Sequence, residues 1–451
     1  MKMIFLALFA VAAIAANVIA VDAQNARKVF PYDYKINDLP NGLRVVTVPT
    51  DYPNLVALYT VVGAGSRNEI EPGKSGYAHF FEHLMFRGSE NFPPGSFDRI
   101  MKKAGASSNA YTTDDRTVYH ATFAKEDLDE IMQLEADRFQ RLKYAQPEYK
   151  TEALAVLGEY NKNSASPTFK MHEVLRETAY KTHTYSHTTM GYLKDIQDYP
   201  NQYEYSLQFF NRFYRPEYTT IVVVGDVKPD EVLAMVNKYY GGWQPGDYKP
   251  QIPVEPAQEK ARSEHIEWTS PTLPYVAVAY RGPAFSDESK DKAALDLLSL
   301  IAFGENSDLF QKLVLQEQKA DFISPDFEDK INPELFTVYA RAKSDADMNY
   351  VRDEIVKTYK RYTGELVPQK QLDQTRSRMR YGFAMAMNSN DAIANTLAPY
   401  IALKRTPETL EKLFALYDRV TPEDIRAAAR TYFQDKNQTV VTLATKNGGK
   451  K

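Results

Sequence analysis

The sequence predicts an α+β chain of two homologous domains, each a mainly antiparallel sheet with helices packed on one face. Three pairs of landmarks carry this, all repeating at an offset of about 219 residues. Tyr59-Thr-Val-Val-Gly63 returns as Val278-Ala-Tyr-Arg-Gly282, and Thr117-Val-Tyr119 as Thr337-Val-Tyr339. Phe213-Tyr-Arg before one Thr/Val-rich strand returns as Tyr432-Phe-Gln before another. Agreement at a single landmark is easy to obtain by chance; three at one spacing indicate a duplication. A chain of 451 residues is also longer than one hydrophobic core usually supports. Between the copies, Pro245, Pro250, Pro253 and Pro256 alternate with charged residues, as in an exposed linker. The expected boundaries are 1–23 for a leader, 24–243 for the first domain, 244–262 for the linker and 263–451 for the second domain.

Residues 1–23 pair a positive end, Lys2, with an apolar run from Met3 to Ala16. Small residues follow at Val21 and Ala23, with Val18 and Ala20 as a second possible cleavage pair. This is the pattern of a secretory signal peptide, with a mature chain starting near Gln24. The chain has no cysteine, so an exported protein of this size points to a bacterial periplasm rather than a disulfide-rich eukaryotic exterior. No later stretch is apolar long enough to span a bilayer. A net charge of −4 favours neither nucleic acid nor an anionic membrane as partner.

Gly42 to Pro49 and Leu55 to Val62 read as strands, the second ending at Gly63-Ala-Gly. A turn near Pro93 precedes a helix from Phe97 to Ala104, and then come strands at Asn109-Ala110-Tyr-Thr-Thr and Thr117-Val-Tyr-His-Ala-Thr-Phe. Glu126 to Tyr144 is an amphipathic helix, and Pro147 opens another through about Asn161. Thr219-Thr-Ile-Val-Val-Val-Gly-Asp is a buried strand, followed by a helix from Pro229 to Tyr240.

The run Gly76-Tyr-Ala-His79-Phe-Phe-Glu82-His83 contains His-x-x-Glu-His. On a helix the two imidazoles are four residues apart and Glu82 lies between them, so all three project from neighbouring positions of one face. Two such imidazoles grip a metal, and the carboxylate stands where it would hold a metal-bound water. The competing role is that of hydrogen-bonded core histidines, since Phe80, Phe81, Leu84 and Met85 surround them. The repeat argues against it: the offset lands on Leu298, Ile301 and Ala302, so the twin helix does without these groups. A catalytic zinc site needs a third protein ligand. Glu152 and Glu159 are seven apart on one face of the helix after Pro147; spacing alone leaves a solvated face open for them. His120, His172, His183, His187 and His265 read as structural or solvent-exposed.

His79-Phe-Phe-Glu82-His83, followed 76 residues later by Leu-Gly-Glu159-Tyr, resembles the M16 (pitrilysin/insulinase) metallopeptidases. So do Phe86-Arg-Gly-Ser, Asn109-Ala-Tyr-Thr-Thr-Asp-Asp-Arg-Thr-Val-Tyr, Arg212-Phe-Tyr-Arg-Pro-Glu-Tyr and Val223-Val-Gly-Asp. The resemblance implies one Zn2+ per chain on His79, His83 and Glu159, with Glu82 as general base and Glu152 supporting the site. It implies that Asn109 and Ala110 lie on an exposed strand edge where a peptide adds as a further strand. Such a zinc acidifies its water and polarises the scissile carbonyl, and Glu82 moves the proton. The family encloses its substrate with four domains, so this half-size chain is expected to pair with itself or with a related subunit lacking the motif. A substrate-holding Arg/Tyr pair is also implied; Arg341 and Tyr350 are nearby candidates that the sequence does not place. Asp308 stands where the family often has Arg, which weakens the homodimer. The expected activity is a periplasmic zinc endopeptidase for peptides and unfolded segments. The alternatives are a non-catalytic assembly subunit, a catalytic subunit active only with a second one, and a mitochondrial processing subunit, which the leader disfavours.

Overall fold

The computed structural model describes residues 28–446. The expected leader and the mature start near Gln24 lie outside them. Among the described residues no helix is long and apolar enough to cross a membrane.

In the first half, strands β1 (Lys35–Asp38), β2 (Arg44–Pro49), β3 (Leu55–Val62), β4 (Ser107–Thr112), β5 (Thr117–Ala124) and β6 (Thr219–Gly225) form one sheet in the order β1-β2-β6-β3-β5-β4. Its longer helices are α1 (Tyr77–Leu84), α2 (Ser96–Lys103), α3 (Leu128–Arg141), α4 (Gln146–Asn163), α5 (Pro167–Ala179), α6 (Tyr203–Phe213) and α7 (Pro229–Tyr240). In the second half, β7 (Arg262–Trp268), β8 (Tyr275–Arg281), β9 (Ala320–Asp326), β10 (Leu335–Ala342) and β11 (Gln438–Thr445) pair as β7-β11-β8-β10-β9. Strip β1 from the first sheet and the two orders are identical, strand for strand. Both place their one parallel contact at the same point, β2 with β6 and β7 with β11. The duplication read from three short landmarks is therefore a duplication of topology.

Alternation along β3 shows how the sheet is used. Val56, Leu58 and Val62 face a core built with Phe80 and Phe81 of α1, Leu134 of α3, Phe209 of α6 and Val236 of α7. These are helices of the same half, on one face, as expected. Ala57, Tyr59 and Val61 face the other way and are equally buried. Their cover is α10, the helix Asn390–Lys404, through Ile393, Leu397 and Ile401; it follows the second-half helices α8 (Lys290–Phe303) and α9 (Asp345–Gly364). The exchange is reciprocal. From the first half, α5 lays Met171, Leu175 and Ala179 on Ala277, Ala279, Val441 and Leu443 of the second sheet. Each sheet is thus sealed on its second face by a helix from the other half.

Residues 244–261 carry no helix or strand, as the proline pattern requires. The stretch is nonetheless pinned rather than loose. Glu255 accepts backbone N–H bonds from Lys181, Thr182 and His183 at 2.7–2.9 Å and lies 3.5 Å from Arg281.

Candidate metal centre

Helix α1 begins at Gly76, whose φ of 84° is left-handed backbone. A Cβ there would lie 2.4 Å from the Met190 carbonyl oxygen, so only glycine fits. The buried carboxylate of Glu69 receives the N–H groups of Gly76 and Ala78 and so closes the N-terminal end of the helix. Tyr77, Phe80, Phe81 and Leu84 turn into the core. That orientation leaves His79, Glu82 and His83 on the remaining face, towards α4 and β4.

Helix α4 brings Glu159 to both imidazoles. Its Oε2 lies 3.6 Å from His79 Nε2 and 3.4 Å from His83 Nε2. Donor atoms of His79, His83 and Glu159 all fall within 4.8 Å of one another. A tetrahedron with zinc bonds of about 2.0–2.1 Å has edges of about 3.3 Å. Two nitrogens and one carboxylate oxygen at these separations therefore fit a zinc ion. Two turns back along α4, Glu152 is 3 % exposed and bridges His83 Nδ1 at 3.4 Å and Arg87 Nη2 at 2.6 Å. This fixes which ring nitrogen of His83 points to Glu159. His79 Nδ1 is buried without such a partner.

The protonation tendencies differ across the three residues of the motif. Burial pushes His79 down to about 4, with the neighbouring His83 adding to the effect, so it stays neutral and able to bind metal. Burial alone would lower His83 too, but its contacts with Glu152 and Glu159 hold it up at about 9. Burial raises the Glu82 carboxyl, against the pull of a Thr112 hydroxyl that donates to Oε2 at 2.7 Å.

Asn109 and Ala110 lie on β4, the outermost strand of the first sheet, opposite His120 and Tyr119 of β5. Asn109 is exposed and Ala110 buried. The motif opens into a cleft of about 500 Å³ whose far wall comes from the second half, including Asp326, Thr337 and Tyr339. His172 also lines it, which its place in the sequence gave no reason to expect. Arg341 and Tyr350 are not part of that lining. Arg341 pairs with Asp321, and the Tyr350 hydroxyl donates to Glu317. Glu69 carries no motif spacing in the sequence; Thr112 and Arg87 are legible there only as parts of the Asn109-Ala-Tyr-Thr-Thr and Phe86-Arg-Gly-Ser runs, with no role of their own.

Residues 44–192 match the family Insulinase (Peptidase family M16), and residues 202–379 match Peptidase M16 inactive domain. The first match contains every residue of the centre. The chain is 29 % identical over 412 residues to the zinc protease PqqE of Helicobacter pylori, covering 90 % of this chain and 91 % of that one. The crystal structure of a protease from Helicobacter pylori superposes with a TM-score of 0.85 at 28 % identity, over 92 % of this chain and 99 % of the other. The periplasmic protease PqqL from Escherichia coli shares the fold at a TM-score of 0.76 and 18 % identity; 92 % of this chain matches 48 % of that one.

Proposed function

The chain belongs to peptidase family M16, and from that premise we propose that it is a zinc-dependent endopeptidase acting on peptides and unfolded segments within an enclosed chamber. One observation carries this reading: the donors of His79, His83 and Glu159 converge beside a carboxylate, Glu82, that is not one of them. Zinc held by those three side chains would supply a Lewis acid and acidify water in the cleft. Glu82 then serves as base. Its Oε2 is engaged by Thr112, which leaves Oε1 to accept a proton and return it to the leaving amine. A carboxyl raised by burial holds that proton more readily than an exposed one. Glu152 keeps His83 oriented. The outer edge of β4 at Asn109 and Ala110 offers the substrate main chain a strand to pair with, which favours extended peptides over folded proteins.

The match to half of PqqL supports pairing, since a chamber then needs a second chain of this size. Together with the leader-like N-terminus, the periplasmic setting of PqqL supports the periplasm as the site of action. The test is cleavage of a quenched unstructured peptide by the purified chain, with and without chelator, alongside its mass in solution. Chelator-sensitive turnover by a homodimer supports a self-sufficient peptidase. Zinc-loaded chain without turnover overturns that reading and points to a missing second subunit.

A further inference from the structure

The turn between β4 and β5 is held from both halves of the chain, including the half that lacks the metal motif. Asp114 sits in that turn, 6 % exposed. Its Oδ1 accepts from Ser66 Oγ at 2.6 Å and lies 2.8 Å from Arg176 of α5. Its Oδ2 is 2.7 Å from Lys330 Nζ, in the β9–β10 connection, and Lys330 is in turn 2.7 Å from Glu334. Burial alone would raise the Asp114 carboxyl, but Arg176 and Lys330 outweigh it and hold the group well below the usual carboxylate range. The next residue repeats the pattern. Asp115 accepts from the backbone N–H of Ile331 at 2.8 Å and from the Tyr185 hydroxyl at 2.9 Å, with Arg67 at 3.0 Å. Gly65 makes room for the turn: a Cβ there would lie 2.3 Å from the Thr113 carbonyl oxygen. Two residues before Asp114, Thr112 ends β4 and donates to Glu82.

We propose that Lys330 is a positioning residue for Glu82, acting through Asp114, the end of β4 and the Thr112 hydroxyl. This rests on the reading of Glu82 as the general base. The chain of contacts is short and buried at its Lys330–Asp114 end, so a displacement of the turn there is passed along the backbone to Thr112, which with Glu82 faces the cleft. Thr112 sets the direction of the Glu82 carboxylate, and a small misplacement of a proton-transferring group costs rate more than binding. On this view the second half does more than close the cleft; it sets the aim of the base in the first.

The test compares Lys330→Met, Lys330→Arg and Thr112→Val in the full chain, measuring kcat, KM, zinc content and backbone amide exchange across Ser107–Thr112. Lys330→Met is expected to lower kcat about tenfold with KM little changed, to speed exchange in β4, and to keep its zinc. Lys330→Arg should recover most of the loss. Combined with Thr112→Val, Lys330→Met should cost little more than Thr112→Val alone, because both act on one contact. Leaving Asp114, Glu334 and Glu328 short of a cation could unfold the single variant, so Lys330→Met with Glu334→Gln is made in parallel. Wild-type kcat in a folded variant lacking Lys330, or losses that simply add to those of Thr112→Val, would overturn the proposal. If the wild-type chain proves to have no peptidase activity, the functional reading fails by itself. Exchange in β4 then still decides whether Lys330 holds the strand: faster supports the link, and unchanged removes it.

Discussion

Helices α1 and α8 occupy matching places in two sheets of the same strand order, and they could hardly be used more differently. In α8 the positions that correspond to His79, Glu82 and His83 are Leu298, Ile301 and Ala302, all at most 2 % exposed. That helix is a plug, buried along most of its length, with Lys292 paired to Asp296 and Asp329. In α1 the same face holds two imidazoles and a carboxylate, open to a cleft and answered by two acids from α4. The comparison separates what the fold needs from what the chemistry needs. A helix in this place is required by the sheet; histidine and glutamate on it are not, since their presence brings desolvated charge that a leucine would avoid.

Breaking the polar side of the comparison should have the largest effect. Glu159→Ala removes the oxygen both imidazoles share, and elemental analysis should find the zinc gone and turnover with it. Full zinc occupancy would make Glu159 a surface acid. Next comes Glu82→Gln, expected to keep the metal while turnover drops by about 10²–10⁴-fold; normal turnover would take the base role away from this residue. On the apolar side, Leu298→Ala should lower stability by about 2–5 kcal/mol, read as a shift in denaturant midpoint, with zinc content untouched. Loss of zinc in that variant would mean the halves are not separable in this way. The smallest change is expected from Glu152→Gln, which should weaken zinc binding by about 10–100-fold in a chelator competition. An unchanged affinity would show that Arg87, not His83, is the partner that matters to Glu152.

Much of this was written in local pattern. The His79/Glu82/His83 face follows from helical spacing, and Glu159 from a family likeness rather than from its own surroundings. The strands betrayed themselves by β-branched runs, and the repeat by their order. Contacts that join distant stretches left no such trace. Thr112 meets Glu82 because β4 lies beside α1, and nothing in a threonine at a strand end announces that. Glu69 looks like an ordinary loop acid until α1 is seen starting above it. The helix Asn390–Lys404, with Pro399 inside it, is not among the elements read from the sequence, and periodicity would in any case carry no address for its seat on the opposite sheet. Likewise, proline spacing described residues 244–262 as an exposed linker, one residue into β7, and missed Glu255 fastening them to Lys181, Thr182 and His183.

The reciprocal cover of the two sheets also dictates an order of events as the chain is made. The first sheet has all its strands once Gly225 has emerged, yet the helix that seals its second face begins only at Asn390. Until then Ala57, Tyr59, Val61 and their neighbours form a bare apolar wall, and α5 waits longer still for strand β11. Neither half can therefore finish folding by itself, and the nascent chain carries an adhesive surface from Gly225 until the helix Asn390–Lys404 has emerged. Cutting the chain at the Pro-rich connection would yield two sticky pieces rather than two domains.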